Sequence, residues 1–324
     1  MGNFSELDMY LFGQATHYDI YKKMGAHVQT KDGIEGVYFD VWAPHAAAVA
    51  VIGEFNGWNE TSHMMERLVE PDMGIYELFV PEAKPGQMYK YRIYDRNDNP
   101  VDHCDPYGFG MELRPNSASI VRDMSKYKFK DSKWMQNRSD CRKKPLNIYE
   151  IHFGSFRKPS DKTDDWYTYE EMIDILIPYL TENGYNCLEI MPLNEYPCDE
   201  SWGYQATGFF SPTSRYGTAD QLKAFVDACH KHGIGVLMDF VPVHFAVDAY
   251  GLANYDGTAL YEYPNSAVGV SEWGSCNFMH SRGEVCSFLQ SSAYYWLREF
   301  HFDGLRMDAV GNLIYWQGDA NRGE

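Results

Sequence analysis

From Leu146 onward the chain alternates short extended apolar stretches with helical ones, and this rhythm constrains its fold more than any other feature. Strand-like runs cover Leu146 to Ile151, Cys187 to Met191, Gly235 to Phe240 and the segment Phe302 to Val310. Between the first two, Thr168 and Glu171 form a capping-box pattern, and Met172, Ile173, Leu176, Ile177 and Leu180 follow at helical spacing. Asn183-Gly184 supplies the stop, and Pro178 predicts a kink. Thr218 and Gln221 repeat the box, Leu222, Phe225, Val226 and Cys229 form the apolar stripe, and Gly233 ends the helix. A long loop and a helix over about Glu284 to Phe300 precede the fourth strand. Strands alternating with helices predict a parallel sheet, on which functional side chains gather at the C-terminal strand ends.

The N-terminal part has a different period. Val37, Phe39 and Val41 alternate with Tyr38, Asp40 and Trp42; further runs cover Val49 to Phe55, Ile75 to Val80 and Met88 to Tyr94, each followed by turn residues. This predicts an immunoglobulin-like β-sandwich over residues 33–125. Residues 1–32 read as an N-terminal extension with a short helix at Tyr18 to Met24. The polar, basic stretch 126–145 reads as a linker, and residues 146–324 as the α/β domain.

The formal charge of −18 argues against a nucleic-acid or anionic-membrane partner. Seven cysteines without a Cys-x-x-Cys pair argue against structural zinc, and no metal or cofactor is expected. The first residues show no signal peptide and no myristoylation pattern, and the longest apolar run, Ala46 to Ile52, is too short to span a bilayer. A soluble cytoplasmic protein with reduced thiols is the expectation.

Chemistry-bearing residues collect where the predicted strands end. The second runs into Asn194, Glu195 and then Trp202-Gly203-Tyr204-Gln205. The third ends at Asp239 and continues to His244, and the fourth ends at Arg306 and Asp308. Arg306 and Asp308 share one face of what reads as a short buried strand. A carboxylate beside a guanidinium suits a nucleophile or an electrostatic stabiliser. Taken singly, Asp239 reads as a turn or capping residue, His244 as a satisfied core histidine, and Tyr204 and Trp202 as packing aromatics. Two strand tips that each present an Asp, one with His and one with Arg, turn the reading towards chemistry. Trp202 and Tyr204 then read as stacking platforms for a sugar ring, with Gly203 permitting close approach. Trp58 reads as a turn or core residue.

These segments carry a resemblance. Val41-Trp42-Ala43-Pro44 with Gly53-Glu54-Phe55-Asn56-Gly57-Trp58 resembles the carbohydrate-binding module that precedes the barrel in bacterial glycogen branching enzymes of the α-amylase family. Tyr149 to Ser155 resembles the first barrel strand, and Gly304 to Val310 the nucleophile strand of the wider family. Ser201 to Gln205 and Asp239 to Phe245 resemble branching enzymes more than other amylase relatives. The resemblance implies a (β/α)8 barrel and transfer of α-1,4-glucan segments to 6-hydroxyls through a covalent glycosyl-enzyme. It implies Asp308 as nucleophile and Arg306 as the group holding it ionised and oriented. Asp239 and His244 would hydrogen-bond the sugar, Tyr204 would stack on it, and Trp202 and Gln205 would contact substrate. Phe240, Val243 and Met279-His280-Ser281-Arg282 depart from the family pattern without removing a catalytic group.

The family's acid/base glutamate follows the fifth strand, whereas Asp308 is close to the last residue, Glu324. The resemblance therefore implies a fragment holding about four βα units, without the acid/base Glu and inactive by itself. Two alternatives stand beside branching: a debranching or trehalose-releasing hydrolase of the same family, and a non-catalytic glucan-binding protein.

Overall fold

The computed structural model describes residues 4–138 and 145–315. The last part of the α/β domain, including Glu324, and residues 139–144 of the expected linker lie outside the described residues.

The sandwich has two sheets. One runs in the order Gly25–Lys31, Ile34–Trp42, Ile75–Val80, Glu66–Arg67; the other joins Ala48–Gly53, Met88–Tyr94 and Pro100–His103, with Ser119–Ile120 also on Met88–Tyr94. Its first strand falls inside the stretch expected to be a helical extension. Gly25–Lys31 pairs antiparallel with Ile34–Trp42 through a tight hairpin at Asp32-Gly33, both with positive φ (51° and 82°), the backbone that an Asp-Gly turn favours. The helical part of the extension is Glu6–Gly13, closed by a Ser5–Asp8 capping box; Tyr18 to Met24 holds one 3-10 turn, Ile20–Lys22.

The α/β domain contains four parallel strands in the order Gly304–Met307, Gly235–Phe240, Cys187–Ile190, Ile148–Ile151, with helices Glu171–Glu182, Ala219–Lys231 and Gly283–Glu299 between them. Both capping boxes form: Thr168 exchanges bonds with Glu171, and Thr218 with Gln221. The helix Glu171–Glu182 continues through Pro178. The fourth strand is not buried. Among the described residues it has one neighbour, Gly235–Phe240, and Met307 is 42% exposed and the Arg306 side chain equally so.

One apolar core runs through extension, sandwich and barrel strands. Tyr107 of the sandwich stacks on Phe210 at 4.9 Å and meets Phe288 edge-on at 5.2 Å, and Phe12 of the N-terminal helix meets Trp42 at 5.6 Å. At this junction Asp105 is fully buried and accepts from the Tyr89 and Tyr91 hydroxyls (2.6 and 3.3 Å) and the Tyr107 amide (2.8 Å). Burial outweighs these donors and pushes its carboxyl up to about 7. The folded state therefore binds this proton more tightly than the unfolded chain, whose Asp titrates near ~3.9. Stability contributed by Asp105 is full below pH ~4 and is lost as pH rises towards 7. Denaturant midpoints at pH 5 and pH 8 check this: Asp105→Asn is expected to flatten the wild-type fall between them.

The stretch leaving the sandwich is strapped to the barrel. Asp131 accepts from His230 and His301, each at 2.8 Å. Trp134, on the short helix Ser132–Asn137, donates to Asp303 at 2.9 Å and stacks on His230 at 5.0 Å. Asp303 also accepts from His230 and from the Val236 amide.

Candidate active site

The site is built by the register of two strands. Asp239 lies opposite Arg306 in the parallel ladder, so both side chains leave the same face side by side. Nη1 of Arg306 donates to both oxygens of Asp239 at 3.0 Å and to Asp308 Oδ1 at 2.5 Å. Asp308 stands just past the strand, its amide donating to the Phe240 carbonyl at 3.0 Å, and Ala309 turns the chain away with φ 49°. On the other side of Asp239, the Tyr204 hydroxyl donates to Oδ2 at 2.7 Å. A continuous chain of contacts thus runs Tyr204, Asp239, Arg306, Asp308.

The electrostatics follow from burial. Asp239 is fully buried, and desolvation holds its carboxyl above the ordinary range despite the donors from Tyr204 and Arg306. Burial works against the Arg306 cation, but Asp239 and Asp308 outweigh it and keep the guanidinium firmly charged. Burial and the Asp239 hydrogen bond raise the Tyr204 phenol, so it stays a donor. On the neighbouring strand, Glu189 is also pushed up, first by burial and then by the charges of Glu150 and Asp239.

His244 follows the third strand on a two-residue ladder with Cys276–Asn277. It is 3% exposed, and its Nδ1 has no hydrogen-bond partner among the described residues. Burial pulls its pKa down to about 4, against the opposing charge of Asp308. The ring is therefore neutral near pH 7 and has an unused nitrogen. The Trp273 ring lies 5.1 Å from it, and Gln205 Nε2 donates to the Trp273 carbonyl at 3.3 Å. Trp273 was not picked out from sequence, although Trp273-Gly274 repeats the Trp202-Gly203 pattern.

The structure brings Asp308, Arg306, Asp239 and Tyr204 into direct contact, with His244 beside them and Gln205 tied in through Trp273. Trp202 stands apart from this hydrogen-bonded chain: it is 56% exposed, has φ 53°, and its ring lies 6.2 Å from His152. Gly203 serves the turn rather than an approach to ligand, since a Cβ there would lie 2.6 Å from the Pro192 carbonyl oxygen. Glu195, which the strand-end rule placed at the rim, is a buried partner of Arg215 at 2.8 Å. Among the described residues, no group of three or more His, Cys, Asp or Glu could hold a metal ion, and no helix is long and apolar enough to cross a membrane.

Comparison with known proteins agrees with the two-part fold. Residues 23–108 match carbohydrate-binding module 48 (isoamylase N-terminal domain), and residues 162–254 match the α-amylase catalytic domain. The chain is similar to the 1,4-alpha-glucan branching enzyme GlgB of Dechloromonas aromatica, 47% identical over 98% of this chain and 50% of the relative. It is likewise similar to those of Methylococcus capsulatus (45%, over 96% and 42%) and Marinobacter nauticus (44%, over 99% and 51%). It spans about half the length of these curated relatives. A crystal structure of a putative alpha amylase from Salmonella typhimurium superposes with a TM-score of 0.72 at 25% identity, over 92% of this chain and 45% of that one. A module matching carbohydrate-binding module 48 ahead of parallel strands matching the α-amylase catalytic domain is what makes the chain similar to the 1,4-alpha-glucan branching enzymes.

Proposed function

We propose that the whole protein containing this chain branches α-1,4-glucan by a retaining double displacement. The observation that carries this reading is the single Arg306 nitrogen shared by Asp239 and Asp308 at adjacent strand tips. One carboxylate is held as a sugar ligand and the other is free to attack. Asp308 Oδ attacks the anomeric carbon, the C1–O bond to the rest of the glucan breaks, and a covalent glycosyl-enzyme forms. The leaving oxygen takes a proton from an acid/base carboxyl, which retaining chemistry puts about 5–5.5 Å from the nucleophile. Asp239 is already committed to Tyr204 and Arg306, so that acid comes from another part of the barrel. A glucan 6-hydroxyl then returns a proton to the same base and attacks C1, giving the α-1,6 branch with net retention.

The other side chains position the sugar. Asp239 accepts from its hydroxyls, the neutral His244 offers its unused nitrogen, and the Tyr204 ring backs the same subsite. Trp202, with its exposed ring, and Gln205, through the Trp273 loop, belong further out along the glucan. The test is product analysis on a polypeptide of the relatives' full length. Transfer gives new α-1,6 linkages without a matching rise in reducing ends; dominant hydrolysis would reassign the site to a debranching or trehalose-releasing reaction. The 324-residue chain alone is expected to be retarded by amylose in a native gel and to form no branches. Branch formation by the pure chain would overturn the assignment of the acid/base group elsewhere.

A further inference from the structure

A recess of about 380 Å³ lies between the 3-10 turn of the extension, the sandwich and the helix Gly283–Glu299. Its walls include the rings of Tyr21, Phe109 and Tyr295, and its cations are Arg122 and Lys22. None of these residues takes part in the site at the strand tips.

Arg122 is the unusual member. It is only partly exposed, yet its guanidinium has no hydrogen-bond or ion-pair partner among the described residues; the one carboxylate acting on it, Asp220, does so at a distance. A half-buried guanidinium without a partner bears a desolvation cost that a bound anion would offset. The arrangement is also sterically specific. Arg122 packs across Gly110, where a Cβ would lie 2.5 Å from its Nε and 3.0 Å from its Cγ.

The carboxylates in the wall are engaged elsewhere. Glu299 accepts from the Tyr21 hydroxyl at 2.6 Å, and Asp123 accepts from the Ser125 amide and hydroxyl at 3.0 and 2.6 Å. Lys22 has an exposed ion pair with Asp19 at 2.8 Å, which a ligand can compete for, and its Nζ lies 5.7 Å from the centre of the Tyr21 ring. The chain continuing from the recess carries Lys126, Lys128, Lys130 and Lys133, a local basic run on a protein of net charge −18.

We propose that this recess binds a small phosphate monoester with a single-ring organic part, the phosphate on Arg122 and Lys22 and the organic part against the exposed Val28 wall. Two cations from separate elements match a dianion better than a carboxylate, and a planar guanidinium suits phosphate oxygens. The rings of Tyr21, Phe109 and Tyr295 floor the recess at 4%, 3% and 0% exposure, and the open apolar wall is Val28, 40% exposed. The volume lies at the small end of ligand pockets, enough for one ring and a phosphate but not for a glucan chain.

Titration calorimetry on the 324-residue chain tests this with glucose 1-phosphate, inorganic phosphate and maltoheptaose as probes. Glucose 1-phosphate is expected to bind saturably and more tightly than inorganic phosphate, and maltoheptaose not to displace it. Arg122→Gln should weaken binding about tenfold or more. Lys22→Gln, on an exposed side chain that the fold does not need, should weaken it by a smaller factor. The proposal is overturned by any of four results: no saturable binding; unchanged affinity in both variants with the unfolding temperature preserved; inorganic phosphate binding as tightly as the ester; or displacement by maltoheptaose, which would make the recess a neutral glucan site.

Discussion

Asp308→Asn is expected to abolish transfer in a polypeptide of the relatives' full length, lowering the rate on the order of 10⁴-fold or more, as loss of a covalent nucleophile does. The substitution keeps the size of the side chain and one oxygen for Arg306, so the fold and glucan binding should persist. Amylose retardation in native gels should stay near wild type while iodine-stained amylose remains unbranched. Arg306→Lys separates positioning from chemistry. One Arg306 nitrogen now reaches three carboxylate oxygens on two strands. A lysine's point charge at the end of a flexible stem cannot hold that planar geometry, so this variant should fold but lose much of the rate. Activity within a few-fold of wild type for Asp308→Asn would remove Asp308 from the nucleophile's role.

The largest effect on stability is expected at Arg215. Its side chain is 1% exposed and sits between Glu195, 4% exposed, and Asp199. Nη1 donates to Glu195 Oε1 at 2.8 Å and to the Tyr196 carbonyl at 2.9 Å, Nε donates to Asp199 at 3.0 Å, and the Tyr196 ring lies 3.7 Å beneath the guanidinium. Arg215→Met leaves Glu195 as a buried, unpaired carboxylate and should cost about 3–5 kcal/mol in denaturant unfolding. Adding Glu195→Gln should restore a large part of that, because the penalty belongs to the stranded charge rather than to the lost contact. A loss below ~1 kcal/mol for the single variant would mean that the cluster is solvated in solution. Asp199 gives a pH signature at the same place. Arg114 first, and then Arg215, hold its carboxyl down to about 2 against burial. Its contribution to stability is therefore present above pH ~4 and lost as pH falls towards 2.

Much of this architecture was legible because local signals agreed with one another. The strands Ile75–Val80 and Gly235–Phe240 run between unambiguous turn residues, and both capping boxes are complete in sequence. Asp239 and Arg306 could be placed at strand ends, but not opposite each other, since register is a property of the paired strands. Gly25–Lys31 escaped notice because its half-exposed residues include Gln, Thr and Lys; the Asp32-Gly33 turn was the available signal for it. Ser5 and Asp8 likewise announced the first helix without an apolar stripe to support them. Other features had no local trace. Trp273 reaches His244 from a long loop without periodicity, and the Glu195–Arg215 pair joins positions 20 residues apart. The fourth strand reads as interior from its composition, and among the described residues it is paired on one side, by Gly235–Phe240.

The strap at Asp303 gives the fourth strand a mechanical role. Asp303 holds Trp134 and His230 at one end of the strand, and Asp308 stands at the other, five residues on and roughly 16 Å away at the rise of an extended chain. A β-strand is stiff along its axis. A displacement of the sandwich that tugs on Trp134 is thus carried to Asp308 as a push or pull along its own strand, while Arg306, bridging to the neighbouring strand, resists it. The path between the N-terminal sandwich and Asp308 is a single rod of backbone, held by Asp303 at one end and by Arg306 at the other.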